Sequence, residues 1–328
     1  MKSTYITYDQ ILWGFILLLL IPIVGFRMMG LDADYFNYLK FFKAQNDLEL
    51  LTKEFGFRFL LGFNSFVFRS SINTFFLIFA SLGISIKVWS FSKHSPIPIL
   101  SFILYLLSYF LLHDYTQIRA GVASGFFLLA LPDLSKGDKS TYFFKVVMAC
   151  MFHWTALIMI PLYFFIRKFS LRFFALLPLV GILIFLPRIN FEQYILSALS
   201  GFPALALYYA THSGHDSAIN IFNAINMAFL GLFFVICFVI YYMKDEFSTL
   251  EISLFKVFST SIFSFYFFAI LNKPVMAFRV FEFLNISLLL LIPYLVDKFK
   301  QWYLASVGFL LFFFFYFMHL ILNVRVIP

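Results

Sequence analysis

Charged side chains are scarce in this sequence. Only 12% of its 328 residues are Asp, Glu, Lys or Arg, against roughly 25% in an ordinary soluble domain. A soluble domain of this composition could not cover its surface with polar groups. Hydrophobic residues make up 62% of the chain, 52 residues are Phe, and the mean hydropathy is +0.93. The composition excludes disordered, collagenous, coiled-coil and disulfide-rich proteins and predicts an all-α polytopic integral membrane protein.

Cysteines and nucleotide-binding motifs are also scarce. Cys150 and Cys237 lie inside apolar runs without metal-ligand spacing, which is typical of packing residues. The sequence has no Walker loop, no GxGxxG after a strand, no GxSxG and no HExxH. His212, His215 and Asp216 could form a metal cluster, but the Ser/Gly spacing between them lacks a geometry that fixes ligands. We therefore predict no cofactor and no metal site.

Apolar runs separated by charged or Pro/Gly-bearing breaks predict about eleven (10–12) membrane-spanning helices in a single transmembrane domain, residues 1–328. The predicted spans are 11–26, 72–90, 96–112, 118–133, 141–152, 154–166, 173–187, 221–243, 252–270, 280–296 and 302–322. The two spans next to His153 are short, which predicts broken or buried helices there. The net charge of +8 belongs mainly to loops and helix ends, so we expect membrane lipids and phosphate as partners and no nucleic acid.

Lysine and arginine in the short loops predict a cytoplasmic N-terminus by the positive-inside rule. The outer side then receives the extracytoplasmic loops 27–71 and 188–220, together with the turns at HDYTQIR, His153 and NKPVMAFR. The first of these loops continues as FGFRFLLGFNSFVF, with aromatic residues on several faces. We predict an interfacial or re-entrant helix in it.

Two arginines stand at the outer ends of predicted spans. Arg119, preceded by Gln117, opens a span rich in small residues, and Asp114 is its predicted charge partner. Arg279, preceded by Lys273, opens a late span. An ionisable group at membrane depth costs ~2.5–3.5 kcal/mol on insertion scales, so it usually has a partner or a ligand. We predict anion-binding or charge-paired sites; the alternatives are snorkelling of Arg119 and a purely structural charge pair for Arg279.

The loop after the first span combines a guanidinium, carboxylates and phenols. Arg27 is followed by Asp32, Asp34, Tyr35 and Tyr38. Carboxylates accept hydrogen bonds from hydroxyl groups, and arginine binds phosphate through two parallel hydrogen bonds. The loop therefore suits a sugar or polyol that carries phosphate; a solvated acidic loop is the alternative.

Two further residues are candidate proton acceptors. His153 lies in CMFHWTALIMIP, at the predicted outer turn between two short spans, and Glu54 precedes the predicted interfacial helix. At the outer face, His153 could be a general base or a phosphate ligand. A packing role is the alternative for a lone histidine.

Four short segments follow one another in order along the chain. They are Arg27 with Gly30, Asp34, Tyr35, Tyr38 and the stretch from Glu54 to Phe57; Gln117 to Gly121; His153 to Ala156 with Ile160, Pro161 and Leu162; and Arg279. Together they resemble the EpsG-like branch of the Wzy polysaccharide polymerases of bacterial envelopes. The spacing between Gly30 and Asp34 is longer than the common Gly-x-Asp form, so either Asp32 or Asp34 could be the family's carboxylate.

The resemblance implies a GT-C-like bundle that acts as a metal-independent membrane glycosyltransferase without a cofactor. Such an enzyme transfers a growing glycan from undecaprenyl diphosphate onto a lipid-linked repeat unit, as in O-antigen and lipopolysaccharide synthesis. It acts at the periplasmic face of the bacterial inner membrane. The implied partners are the undecaprenyl-diphosphate-linked oligosaccharide donor and acceptor, with a chain-length regulator protein as a further candidate.

The resemblance also suggests roles for the singled-out residues. Arg119 and Arg279 would hold the diphosphate groups and stabilise the departing one. The further predicted substrate ligands are Arg27, Gln117, Tyr35, Tyr38 and Lys273. The candidate general bases are His153, Asp34 and Glu54.

A lipid-linked oligosaccharide flippase and a membrane sugar acyltransferase are the rival predictions. A flippase would keep its charges along a path open to both sides, whereas the charges here cluster on the predicted outer side. An acyltransferase would use an embedded histidine and arginines but would admit its acyl donor from the cytoplasm.

Overall fold

The computed structural model describes residues 8–30, 32, 34–43, 50, 53–185, 220–271 and 273–322. All regular secondary structure in these ranges is helical. The predicted all-α fold is therefore confirmed. Except for its last residue, the predicted loop 188–220 lies outside the described residues, as do His212, His215 and Asp216.

The α-helices of the described residues are numbered in chain order. They are α1 Tyr8–Gly25, α2 Tyr35–Lys43, α3 Phe55–Phe68, α4 Ile72–His94, α5 Pro98–Tyr109, α6 Ile118–Lys136, α7 Lys139–Cys150, α8 Met159–Lys168, α9 Leu171–Phe185, α10 Ala224–Tyr242, α11 Thr249–Ile270, α12 Pro274–Asn285, α13 Leu288–Asp297 and α14 Trp302–Leu322. A π-helical turn, Phe110–Thr116, continues α5, and 3-10 turns cover Trp154–Ile158 and Lys244–Glu246.

Seven stretches of the described chain are long and apolar enough to cross a membrane. They are α4, α5 with its π-turn, α6, α10, α11, α12 with α13, and α14; α1, α3 and α9 are shorter apolar helices. Each predicted span overlaps one or more helices. The two predicted spans next to His153 are the 12-residue α7 and the 10-residue α8 with its 3-10 turn. Neither helix has the roughly 20 residues that a span needs.

Side-chain caps define several helix ends. Ser71 and Asp138 accept hydrogen bonds from backbone N–H groups in the first turns of α4 and α7. Ser248 and Glu251 form a reciprocal capping box at the start of α11. Gly137 ends α6 with a φ of +79°, a left-handed conformation that glycine adopts without strain. These local signals explain where the helices begin and end.

The chain divides into two compact units, residues 1–160 with 289–328, and residues 161–288. In the first unit, α4 packs against α1 and α6, and α6 packs against α7. In the second unit, α11 packs against α9 and α12.

A buried ion pair joins α4, α5 with its π-turn, and α6 in the first unit. Lys87 Nζ on α4 lies 2.8 Å from Asp114 Oδ2 in the π-turn and donates to the carbonyl oxygen of Gly121 on α6 at 2.5 Å. Tyr105 on α5 donates to the same carboxylate at 2.7 Å. A Cβ at Gly83 or Gly121 would lie 2.3 or 2.8 Å from Asp114 Oδ1, so glycine leaves room for the carboxylate. Both buried charges are thereby paired, as burial requires.

Polar side chains of α11 hold the second unit together. Lys256 Nζ donates to the carbonyl oxygens of Ile166 and Phe169 at 3.0 and 2.7 Å, near the C-terminal end of α8. Ser259 donates to the carbonyl oxygen of Phe174 on α9 at 2.5 Å. The two carbonyl groups at the end of α8 would otherwise be unpaired, as the last carbonyls of a helix are. The carbonyl of Phe174 lacks an intrahelical donor because residue 178, four positions later, is Pro.

We expect Lys87→Met to lower the free energy of unfolding by about 3–5 kcal/mol, because Asp114 would become an uncompensated buried charge. Thermal denaturation in detergent measures the loss. The matched control is Lys145→Met, since the Lys145 side chain, paired with Asp133, is 20% exposed whereas that of Lys87 is fully buried; we expect a smaller loss there, because water can still reach the Asp133 carboxylate. Adding Asp114→Asn to Lys87→Met should restore stability, because it removes the unpaired carboxylate. Equal losses in Lys87→Met and Lys145→Met would contradict the explanation that an uncompensated buried charge causes the loss.

Candidate functional site

The first turn of α3 docks on the turn that carries His153. The backbone N–H of Gly56 donates to the carbonyl oxygen of Met151 at 2.7 Å. A Cβ at Gly56 would lie only 2.7 Å from that oxygen, so glycine is required for this approach. The contact brings Glu54, which immediately precedes α3, next to His153 and Trp154.

The Glu54 carboxylate is 1% exposed and uses its two oxygens differently. Oε2 accepts a hydrogen bond from Arg119 Nη1 at 2.5 Å. Oε1 accepts from the backbone N–H of Trp154 at 3.3 Å and lies 3.4 Å from His153 Nδ1. Burial alone would raise the pKa of Glu54, but hydrogen bonding to His153 and the charge of Arg119 outweigh it and lower the pKa to about 2. The carboxylate is therefore ionised at neutral pH.

Arg119 lies in the first turn of α6, and Gln117 is the residue immediately before that helix. The guanidinium carbon of Arg119 lies 5.4 Å from the ring centre of Phe57, a cation–π contact. Within the described part of the chain, the buried Nε of Arg119 has no hydrogen-bond partner. Part of the hydrogen-bonding capacity of Arg119 thus remains unused.

Tyr38 of α2 interacts electrostatically with both arginines of the site. Its ring packs against Phe57 and Phe76, with ring centres 6.2 and 5.9 Å away. Burial raises the pKa of Tyr38 to about 12, although the charges of Arg119 and Arg27 oppose the shift. The phenol therefore stays protonated at neutral pH and can donate a hydrogen bond.

Arg27 is buried at the end of the first helix. Its Nε lies 3.2 Å from Asp32 Oδ2, and its guanidinium carbon lies 3.6 Å from the ring centre of Phe76 and 5.3 Å from that of Tyr115. Among the described residues, neither Nη1 nor Nη2 of Arg27 has a hydrogen-bond partner. A buried guanidinium with two unsatisfied nitrogens is unusual and suits an anionic ligand.

The structure separates the two aspartates of the first loop. Asp32 faces Arg27, whereas Asp34 Oδ1 accepts a hydrogen bond from Asn37 Nδ2 at 3.1 Å at the exposed start of α2. Tyr35 packs against Phe76, with ring centres 5.5 Å apart. Asp32 and Asp34 are both candidates for the family's carboxylate in this loop, and Asp32 is the one that lies next to Arg27.

Arg279 and Lys273 belong to the second unit. Lys273 is the residue before α12, whose first residue is Pro274, and Arg279 is exposed on the same helix. The residues brought together in the first unit are Arg27, Asp32, Tyr38, Glu54, Arg119 and His153. The assignment of Arg279 and Lys273 to phosphate groups stays a prediction.

The sequence profile of the EpsG family matches residues 10–328. The chain belongs to the EpsG family. It is also similar to the amylovoran biosynthesis protein AmsC of Erwinia amylovora, with 30% identity over 182 residues that cover 52% of this chain and 47% of that protein. The chain thus spans about half the length of this curated relative. No solved structure matches the chain.

The predicted pairing of Arg119 with Asp114 in this EpsG-family chain is wrong. Asp114 pairs with Lys87, and Arg119 pairs with Glu54. The π-helical turn is the physical reason, because it places Asp114 against α4 and α5, where Lys87 and Tyr105 bind it. Sequence reasoning also missed Lys87, although a lysine inside an apolar run is a signal that it needs a buried partner.

No group of three or more His, Cys, Asp or Glu side chains that could hold a metal ion occurs in the described ranges. The cationic groups of the site are instead guanidinium groups, which bind phosphate oxygens in pairs.

We expect the contribution of Glu54 to stability to depend on pH. Its pKa falls from the ordinary value of 4.5 to about 2 on folding, so the ionised form stabilises the fold by about 3 kcal/mol above pH 4.5. That stability is lost progressively as the pH falls from 4.5 towards 2. Thermal denaturation should show Glu54→Gln less stable than the original chain at pH 7 and a narrowing difference at pH 4 and 3.

The exposed Glu246 offers the control for this experiment. We expect Glu246→Gln to change stability by less than about 0.5 kcal/mol at any of these pH values. A stability difference for Glu54→Gln that stays constant from pH 7 to pH 3 would contradict the role of the ionised carboxylate.

Proposed function

We propose that this protein is a polysaccharide polymerase that transfers a growing glycan from undecaprenyl diphosphate onto a lipid-linked repeat unit. The observation that carries the proposal is the buried cluster of Arg119, Glu54 and His153. Tyr38 links it electrostatically to Arg27, two of whose nitrogens have no hydrogen-bond partner in the described part of the chain. Membership of the EpsG family and similarity to a protein named for amylovoran biosynthesis support it. The reaction is proposed to take place at the periplasmic face of the bacterial inner membrane.

The departing diphosphate explains why the site needs arginines. When the bond between the anomeric carbon and the diphosphate oxygen breaks, the electron pair stays on the diphosphate, where negative charge develops. Arg27 and Arg119 lie close enough to Tyr38 for both charges to act on it, and all three groups donate hydrogen bonds. Donors held in place before the reaction stabilise such charge without reorganisation. We assign them to the donor diphosphate and leave Arg279 and Lys273 as the predicted ligands of the acceptor.

The acceptor sugar must lose a proton as its hydroxyl oxygen attacks. His153 is the favoured base, because Nδ1 faces the Glu54 carboxylate and Nε2 is then the nitrogen that accepts the proton. Glu54 orients the imidazole and balances its positive charge after protonation. Asp34 is less suited, since it accepts a hydrogen bond from Asn37 at the exposed start of α2.

Guanidinium groups can supply the positive charge that a divalent metal supplies in other phosphate sites. We therefore propose a metal-independent reaction that uses no cofactor. Membrane lipids surround the helices, and aromatic side chains such as the exposed Phe55 and Phe59 flank the polyprenyl tails.

The test of the proposed function combines purified protein in nanodiscs with an undecaprenyl-diphosphate-linked repeat unit, EDTA and no nucleotide. We expect a ladder of product lengths on a gel. Arg119→Lys and Arg27→Lys should reduce the rate by about 100-fold to 1,000-fold, because lysine cannot donate the paired hydrogen bonds of a guanidinium. The matched control is Arg167→Ala, an exposed arginine at the end of α8, which should leave the ladder unchanged.

The outcome of this assay distinguishes the proposed polymerase from its rivals. Loss of the ladder on chelation, with recovery in Mg²⁺ or Mn²⁺, would contradict metal independence. If no ladder appears while proteoliposomes move the lipid-linked sugar between leaflets, the protein is a flippase. Acyl transfer to the sugar in the presence of an acyl donor would identify it as an acyltransferase.

A further inference from the structure

The contact between Glu54 and Arg119 occupies the arginine that the proposed reaction needs. Arg119 Nη1 donates to Glu54 Oε2 at 2.5 Å, and the arginine side chain is only 21% exposed. A diphosphate that is to bind Arg119 must therefore compete with this carboxylate. Carboxylate and phosphate oxygens are interchangeable partners for a guanidinium, so the competition is direct.

Two features of Arg119 and its surroundings favour the diphosphate in this competition. The buried Nε of Arg119 has no hydrogen-bond partner in the described ranges, so the carboxylate leaves one donor of the guanidinium unused. The terminal nitrogens of Arg27 also lack hydrogen-bond partners among the described residues, and Tyr38 interacts electrostatically with both arginines. A diphosphate has enough oxygens to bind donors of Arg119, Tyr38 and Arg27 together, whereas a carboxylate has two.

The other half of the Glu54 carboxylate is held independently of Arg119. Oε1 accepts from the backbone N–H of Trp154 and faces His153 Nδ1. These contacts come from the turn before α8, not from α6. Loss of the Arg119 contact therefore does not remove Glu54 from the histidine.

We propose that Glu54 holds Arg119 until the diphosphate of a polyprenyl-linked donor takes its place, and that the released carboxylate then acts on His153 alone. This inference rests on the proposed function and adds to it a coupling between donor binding and the base. Glu54 is thus a positioning residue: it does not touch the reacting atoms but acts through the imidazole.

The coupling has a chemical consequence. While Arg119 shares the carboxylate, its positive charge opposes protonation of the neighbouring His153. Once a diphosphate binds Arg119, the undivided negative charge of Glu54 favours protonation of His153 Nε2. The acceptor hydroxyl then loses its proton to Nε2 as its oxygen bonds to the anomeric carbon and the diphosphate departs with the electron pair. A donor must therefore be bound before the base is strong, which limits proton transfer to productive complexes.

The test measures the binding of inorganic pyrophosphate by calorimetry in a metal-free buffer, which needs no catalytic turnover. We expect Glu54→Gln to bind pyrophosphate about tenfold more tightly than the original chain, because it removes the internal competitor for Arg119. Glu54→Asp, which keeps the charge on a shorter side chain, should lie between the two. Arg119→Lys should weaken binding in every background.

Glu251→Gln is the matched control, since Glu251 is an equally buried glutamate in the capping box of α11. It should not change pyrophosphate affinity. The inference is overturned if Glu54→Gln and Glu54→Asp bind pyrophosphate no more tightly than the original chain, or if Glu251→Gln gains as much. Glu54→Asp alone decides the matter if Glu54→Gln does not fold.

A second arm uses undecaprenyl diphosphate in nanodiscs. The same order of affinities is expected for the lipid; a gain that is confined to inorganic pyrophosphate would show a site for free anions and overturn the lipid assignment. The gel assay separates this inference from the proposed function. If Glu54→Gln binds pyrophosphate more tightly but the original chain makes no ladder of products, the polymerase proposal is overturned and the exchange at Arg119 stands. If the ladder forms but Glu54→Gln binds pyrophosphate no more tightly, the exchange is overturned and the polymerase proposal stands.

Discussion

The pairing of the Glu54 carboxylate is the interaction on which the candidate site depends. A charge that is removed from water must be compensated, and this one is shared between Arg119 and the turn at His153 and Trp154. The partners come from separate parts of the chain and meet because Gly56 allows α3 to approach the turn closely. The cluster therefore both holds the first unit together locally and places an arginine, a carboxylate and an imidazole side by side.

A second buried ion pair supports the first. Lys87 and Asp114 are fully hydrogen-bonded to each other and to their neighbours, and they fix the π-turn directly before α6. Arg119 lies in the first turn of α6, so the fixed π-turn also fixes the position of its backbone. The two clusters differ in hydrogen bonding: the Lys87–Asp114 pair is satisfied, whereas some nitrogens of Arg27 and Arg119 have no hydrogen-bond partner among the residues that the structure describes. Unsatisfied buried donors are rare in folded proteins, and a ligand is a sufficient reason for them.

Much of the fold follows from sequence because backbone groups in a bilayer must bond within their own segment, which makes long apolar runs helical. The ionisable residues of the predicted outer turns could be singled out for the related reason that charges near membrane depth are costly. The partner of Arg119 could not be identified in this way. Asp114 is close to it in sequence, but a π-turn rotates the aspartate towards Lys87, and Glu54 arrives from 65 residues earlier in the chain.

The sequence by itself determined the helical membrane class, the family and the set of residues able to bind phosphate or accept a proton. Only the tertiary structure decided which of these residues meet: Asp32 rather than Asp34 at Arg27, and Glu54 at both Arg119 and His153. The reason is physical. Composition and periodicity record how each segment meets the membrane, whereas the pairing of charges depends on which helices pack together and on the glycines that let them approach.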